Sequence, residues 1–360
     1  MTGMRRCAQT NNSAAAECRG RLGRIAAVFG SPFFRWTLLP VMALWGLFCC
    51  GILYYHLPLG GFWRFIPPAV LAVDVTLCLA MWRKNVFIPF LLAAELLAIN
   101  STYFALVQPS NDRDWQPSFS RNPVSRIDGD RVTVFNVRDF RYRSEFDFDP
   151  VYIDETYDLA ELNGLYFIVV HWNGDAIGHT MVSFSFDDGK TLAFSMETRL
   201  DKNDVQGAVP GLFRRFELLC IAGTERDLLG LRTNFRHEQV YFYRSNATRE
   251  QAKRHFLAMT GEINELYSEP EFYNTITKNC TTSLIPILGD QRRSARRLRL
   301  ICNGFSDFYA FRDNLLDNPS GIADFKTFKA RHYLNPAVET LDIYAPDFDY
   351  SAFIRKSVEP

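Results

Sequence analysis

Net charge is the first thing missing from this 360-residue chain, in which 40 lysines and arginines cancel 40 aspartates and glutamates. That balance excludes the strong basic field on which nonspecific nucleic-acid binding depends, so no nucleic-acid partner is expected. Histidine is scarce, at six residues, and no Cys/His spacing resembles a zinc site, so neither a metal nor another cofactor is expected. Internal repeats and low-complexity tracts are absent. A cleavable signal peptide is lacking too: the leader is long, and no A-x-A-like site follows a short apolar core. The N-terminus therefore reads as a retained anchor.

What charge there is divides unevenly. Residues 1–107 hold nine basic and three acidic side chains, which leaves 31 basic and 37 acidic residues for 108–360. The first part also holds three apolar segments, 36–56, 62–82 and 86–106, each near the ~20 residues that a bilayer-spanning helix needs. Arg5, Arg6, Arg19, Arg21, Arg24 and Arg35 precede the first segment, and Arg83-Lys84 joins the second to the third. Basic loops stay on the cytoplasmic side, so everything after Val107 is expected outside, with Arg64 the mild dissent. Cys7 and Cys18 are then cytoplasmic, and Cys49, Cys50 and Cys78 lie in the spans. Cys220, Cys280 and Cys302 lie outside, where an odd number leaves at least one free thiol. Cys220 with Cys302 is a candidate disulfide; two separate buried thiols is the alternative. Asp74 and Glu95 are ionisable groups inside spans, read either as carboxyls sharing a proton or as hydrogen-bonding glue between helices.

The domain organisation follows: a cytoplasmic tail (1–35), a membrane region (36–107), a linker rich in turn residues (108–125) and an outer domain (126–360). In that domain residues 130–136, 165–172, 177–186, 191–199, 215–222 and 239–244 read as strands. Thr248-Arg249-Glu250-Gln251 opens a helix as a capping box, running to about Tyr267. The expected class is α+β. Residues 290–360 are mixed and Phe-rich, with a basic run from Arg292 to Arg299 read as a solvated helix or a contact for anionic lipid head groups.

The chemistry concentrates at Asn279-Cys280-Thr281-Thr282. An apolar run follows it, so Cys280 is expected in the first turn of a short helix, where amide N–H groups and the helix dipole favour a thiolate. A thiolate needs a base, and Gly178-His179-Thr180 lies upstream on a strand. The plainer readings are a small buried Cys280 and a structural His179. Around His179, residues 179, 181, 183 and 185 are largely polar, as are 193, 195, 197 and 199 on the next strand. Like faces must pair, which requires Phe186 opposite Lys190 across the loop Asp187-Asp188-Gly189, with Gly189 in the left-handed conformation. That register puts Glu197 opposite His179, making it the candidate orienter of the imidazole. His171, at a strand end, is the competing base. Tyr273, Asn274 and Asn279 are candidate oxyanion donors beside the Cys280 N–H, although Asn279 equally reads as a helix N-cap.

A series of ordered pieces carries a resemblance. They are Asp114-Trp115-Gln116, Ile127-Asp128-Gly129-Asp130, residues 136–142 (Asn-Val-Arg-Asp-Phe-Arg-Tyr), residues 178–184 (Gly-His-Thr-Met-Val-Ser-Phe) and residues 194–199 (Phe-Ser-Met-Glu-Thr-Arg). Leu231-Arg232-Thr233-Asn234 and Tyr273-Asn274 follow, before Asn279-Cys280-Thr281-Thr282. Together they resemble the Lnb N-terminal periplasmic domain family. The resemblance implies a Cys–His site of the kind used by an intramolecular lipoprotein N-acyltransferase. It also implies a circularly permuted papain-like fold, similar to lecithin:retinol acyltransferase in its His-before-Cys order. One departure is that Lnb places its membrane helices after the soluble domain, whereas here they precede it. The resulting expectation is a bacterial inner-membrane protein whose periplasmic domain transfers acyl groups from a lipid or lipoprotein through a Cys280 thioester. The alternatives are a periplasmic cysteine peptidase or amidase, and a non-catalytic envelope assembly module. The topology has a direct check: a reporter that works only in the periplasm should be active when fused after Val107 and inactive after Lys84, and the reverse pattern would place Cys280 in the cytoplasm.

Overall fold

The computed structural model describes residues 31–288, apart from 83, 84, 86 and 173, and residues 303–358. The tail before residue 31, Arg83-Lys84, the basic run and Cys302 lie outside the described residues. The chain divides into two compact units, Met1–Gln108 and Pro109–Pro360.

The first unit is helical. Helices α1 (Pro32–His56), α2 (Ile66–Met81) and α3 (Ile88–Leu106) follow one another, with a 3₁₀ turn (Gly61–Phe65) leading into α2. Three segments, Pro32–His56, Gly61–Met81 and Ile88–Leu106, are long and apolar enough to cross a membrane. Met42, Cys49, Leu71, Val75, Leu92 and Leu96 form the seam between the helices. Gly46 lets α1 and α2 approach closely, since a Cβ there would meet Val75 Cγ2 at 2.9 Å. The Asp74 and Glu95 carboxyls lie against each other across α2 and α3. Asn100 Nδ2 donates to Leu96 O and to Cys49 Sγ.

The second unit is built on one sheet. In chain order its strands are β1 (Val124–Asp128), β2 (Arg131–Arg138), β5 (Tyr152–Asp158), β6 (Leu162–His171), β7 (Gly178–Phe186), β8 (Thr191–Arg199), β9 (Glu217–Gly223) and β10 (Gln239–Arg244); β3 (Arg141–Tyr142) and β4 (Phe148–Asp149) form a separate ribbon. The spatial order is β1-β2-β9-β8-β7-β6-β10, with β5 on β2. Helices α4 (Glu225–Gly230), α5 (Arg249–Ser268) and α6 (Cys280–Leu288) complete the part that positions the site. Mixed helix and sheet is thus the architecture, behind three apolar helices.

Alternation along β7 and β8 sorts two cores. Val182, Phe184, Phe194 and Met196 face α5, whose Phe256, Met259 and Ile263 cover them. The opposite face, with Met181, Ala193 and Ile221, is covered by α4 and by short C-terminal helices through Leu334, Val338 and Ile354. The α5 capping box is present, with Thr248 accepting from Gln251 N and the Gln251 side chain accepting from Thr248 N. The β7–β8 register is the one that the polar and apolar faces demand: Ser185 pairs with Thr191, Met181 with Ser195, and Phe186 N–H donates to Lys190 O. Gly189 closes the turn at φ +86°.

Two strands of the main sheet, β1 and β5, were not anticipated, and neither was the β3–β4 ribbon. β1 begins inside the stretch read as a linker, and β5 has no clear alternation to announce it. Residues 109–125 are also not a free tether. Trp115 is buried and bridges to Asp201, Arg199 lies over its ring at 4.1 Å, and Asn111 Nδ2 donates to the carbonyls of Leu266 and Tyr267.

Phe256 makes edge-on contacts with Tyr157, Phe184, Phe186 and Phe194 while fully buried. Its truncation leaves a cavity under the centre of the sheet, so Phe256→Ala should destabilise the outer domain by about 3–5 kcal/mol, read by denaturant unfolding in detergent.

Candidate functional site

Cys280 is the first residue of α6, and the sequence before it builds the helix start. Asn279 Oδ1 accepts from Thr281 N and Thr282 N, while Thr282 Oγ1 accepts from Asn279 N at 2.7 Å. This reciprocal cap makes Asn279 an N-cap, and its Nδ2 donates to Thr275 O. Thr281 Oγ1 lies 3.1 Å from Thr180 Oγ1, tying α6 to β7 beside His179. The paired stretch of β7 and β8 stops at Met181 and Ser195, and beyond it the Thr180 N–H donates to the Cys280 sulfur.

The buried Cys280 thiol hydrogen-bonds with the His179 imidazole. His179 Nε2 lies 2.7 Å from Ser195 Oγ and 3.1 Å from Glu197 Oε1. Ser195 Oγ donates to the same carboxylate oxygen at 2.6 Å. Arg232 Nη2 donates to it at 2.7 Å, and Arg232 Nη1 to Leu228 O. Arg232 sits in a π-helical turn, Leu231–Phe235, that continues α4 and swings the guanidinium toward β8.

The electrostatics follow from this chain of contacts. Burial alone would raise the Cys280 thiol, but the adjacent imidazolium and the Thr180 N–H outweigh it and bring it down to about 7. Burial alone would lower His179, yet Glu197 and the Cys280 thiolate lift it to about 9. Burial works against the Glu197 charge as well. The imidazolium and the Arg232 guanidinium overcome it, holding the carboxyl well below the usual range. Near neutrality these shifts favour a thiolate–imidazolium pair beside an ionised Glu197. Cys220 is different: it is a free buried thiol whose burial pushes it well above the ordinary range.

Residues 148–303 match the Lnb N-terminal periplasmic domain family. The match covers less than half of the chain but includes His179, Glu197, Arg232 and Cys280. No curated protein and no solved structure matches. The family match and the three apolar helices agree on a membrane protein carrying a periplasmic domain.

The other candidates from the sequence sit as follows. His171 pairs with Gly178 across β6–β7, and its Nε2 lies 3.3 Å from Lys329 Nζ. Asn274 Oδ1 accepts from Ile276 N and Thr277 N, which shapes the turn before α6. Tyr273 lies close enough to Cys280 for the thiolate to help burial raise its phenol. Ser195 and Arg232 were not singled out in sequence. Ser195 shares the Glu197 face two residues away, and Arg232 stands in a stretch that carried the family resemblance, but nothing local pairs residue 232 with residue 197. Among the described residues no group of three or more His, Cys, Asp or Glu side chains could hold a metal ion.

Two limbs are expected in the pH dependence. Alkylation of Cys280 by iodoacetamide should rise through about pH 7 and far exceed that of Cys220. A rate that needs both thiolate and imidazolium should fall again as His179 loses its proton near pH 9. Glu197→Gln removes the charge that lifts His179, so the upper limb should move to lower pH and the thiol limb to higher pH. An unchanged profile would separate Glu197 from the pair.

Proposed function

We propose that the protein is a membrane-anchored cysteine acyltransferase acting on acyl esters of a lipoprotein or phospholipid. The observation that carries this reading is the Cys280–His179–Glu197 alignment at a helix start, with the thiol lowered to about 7. A thiolate already formed near neutral pH needs no further base to attack a carbonyl.

The Cys280 sulfur adds to the ester carbonyl carbon, and the carbonyl oxygen becomes an oxyanion. The Cys280 backbone N–H and the Tyr273 phenol are the donors best placed to meet that charge; Asn274 and Asn279 serve the turn and the cap. As the C–O bond breaks, the His179 imidazolium gives its proton to the departing alkoxide. The acyl group is then a thioester on Cys280 and His179 is neutral. An acceptor amine, hydroxyl or water attacks the thioester, His179 takes its proton, and the thiolate is regenerated. Glu197 stabilises the imidazolium in both half-reactions, and Ser195 and Arg232 hold the carboxylate in place.

A periplasmic setting and an anchor of apolar helices support a lipid-linked donor over a soluble peptide, because the substrate's ester then lies within reach of a tethered site. In the inner membrane of a bacterium, lipoproteins and phospholipids are the esters available there.

The full-length protein should acquire an acyl mass on the peptide containing Cys280 when mixed with phospholipid or diacylated lipoprotein and quenched in acid. The adduct should be absent in Cys280→Ala and His179→Ala, and reduced about 10²–10³-fold in formation rate in Glu197→Gln. No adduct with either donor, together with cleavage of a peptidoglycan or peptide amide, would favour the peptidase or amidase reading instead.

A further inference from the structure

One end of the sheet gathers the site. Because His171 pairs with Gly178 and Arg199 with Glu217, the connections 172–177 and 200–216 leave the sheet at the end that holds His179 and Glu197. The segment before Cys280 joins them there, through Phe272 bridging to Glu217 and Thr275 Oγ1 donating to Ala208 O. Gly304 closes against the backbone of Asp175 and Ala176 at the same end.

These connections carry large apolar side chains in the open. Val205 is 83% exposed, Val209 57% and Ile276 50%, on two segments that touch each other; Trp172 and Ile177 are 52% exposed and Phe305 40%. Single exposed apolar residues are ordinary, but six gathered around one end are not. The turns at the other end, 187–190 and 245–248, have no exposed large apolar side chain of their own, and the exposed Leu315 beside Ser245 and Asn246 stands singly.

The chain itself indicates what covers this end. It enters the domain here, with Ser110 N–H donating to Glu217, Arg113 paired to the same carboxylate and Trp115 bridging to Asp201. Only Val107 and Gln108 separate Pro109 from the end of an apolar helix of bilayer length. The end of the domain with the exposed apolar side chains is thus the end at which the chain enters it, directly after an apolar segment long enough to cross a membrane.

We propose that this end of the outer domain is a lipid-docking surface, which seats Val205, Val209 and Ile276, with Trp172, Ile177 and Phe305, in the bilayer interface. Partly exposed aliphatic and tryptophan side chains suit that boundary, where an apolar body is buried and polar backbone stays wet. Docking would bring lipid esters to the mouth of the Cys280 site without their leaving the bilayer. The surface itself needs no acyl transfer, so the two readings can fail separately.

The test uses the full-length protein in nanodiscs of phosphatidylethanolamine and phosphatidylglycerol doped with a phospholipid carrying a photoreactive group in its acyl chain. After irradiation, mass spectrometry should find lipid adducts on the peptides holding 205–209 and 276, besides those in the three apolar helices. In Val205→Asp/Val209→Asp, and separately in Ile276→Asp, the loop adducts should fall at least fivefold while the helix adducts stay constant. The Cys280 alkylation rate at pH 7 reports whether each variant has kept its site; where it has not, Val205→Ser/Val209→Ser replaces the harsher change. Adducts confined to residues 31–107 in the unmodified protein, or loop adducts indifferent to the substitutions in a folded domain, would overturn the proposal. The readout is independent of thioester formation, so a protein that docks but never acylates Cys280 would refute the acyltransferase reading alone.

Discussion

The partly buried carboxylate of Glu197 is the charge that the site cannot lose. Two other charged groups depend on it: the His179 imidazolium at 3.1 Å and the Arg232 guanidinium at 2.7 Å. A carboxylate taken out of water costs several kcal/mol unless it is paired and hydrogen-bonded. Here one oxygen takes donors from Arg232 and Ser195 and faces the imidazole nitrogen. Because that charge persists, His179 holds its proton in a setting whose burial would strip it. Because His179 stays charged, Cys280 loses its proton in a setting whose burial would keep it. The thiolate is the last link of an electrostatic chain anchored two strands and one helical turn away.

Each link is fixed by a separate part of the fold. The three-residue turn at Gly189 sets the β7–β8 register, and a slip of one residue would send Glu197 to the face packed on α5. The Asn279 cap sets where α6 begins and so where the sulfur lies. The position of Arg232 rests on α4, which is held by two buried acids. Asp227 accepts from Arg138 at Nε and Nη2, from Phe140 N and from Tyr142 Oη. Glu225 takes a bidentate contact from Arg355 and a hydroxyl from Ser183. Removing one partner from either set leaves a buried charge uncompensated, so damage at Arg138 or Arg355 would reach the site through α4.

Features governed by local rules were legible in the sequence. The α5 capping box, the turn glycine and the like-with-like faces of β7 and β8 each involve residues within about twenty positions of one another, and local chemistry decides them. The three apolar helices were legible by length alone. What escaped was set by distance along the chain. Arg232 reaches Glu197 across 35 residues, and nothing near either residue announces the other. The stretch 109–125 has the composition of a linker, but Trp115 and Asn111 find partners about 85 and 155 residues away. Asn279 carried two readings in sequence, and the Thr282 hydroxyl, which completes the cap, favours the structural one.

The contrast between His171 and His179 shows how neighbouring charges set the state of a buried imidazole. Both are buried histidines at the same end of adjacent, paired strands, with Val170 opposite His179. Burial favours the neutral form in both. At His171 the Lys329 ammonium reinforces burial and outweighs Asp307 and Asp175, so the imidazole is pushed down and stays neutral. At His179 a carboxylate and a thiol reverse the sign. An uncharged imidazole beside a cation cannot stabilise a thiolate, even if a sulfur were brought to it. Only His179 has both an anion to hold its proton and a thiol to take the benefit of its charge. Sequence pattern alone left two candidate bases, and the neighbouring charges favour His179 for the role proposed above.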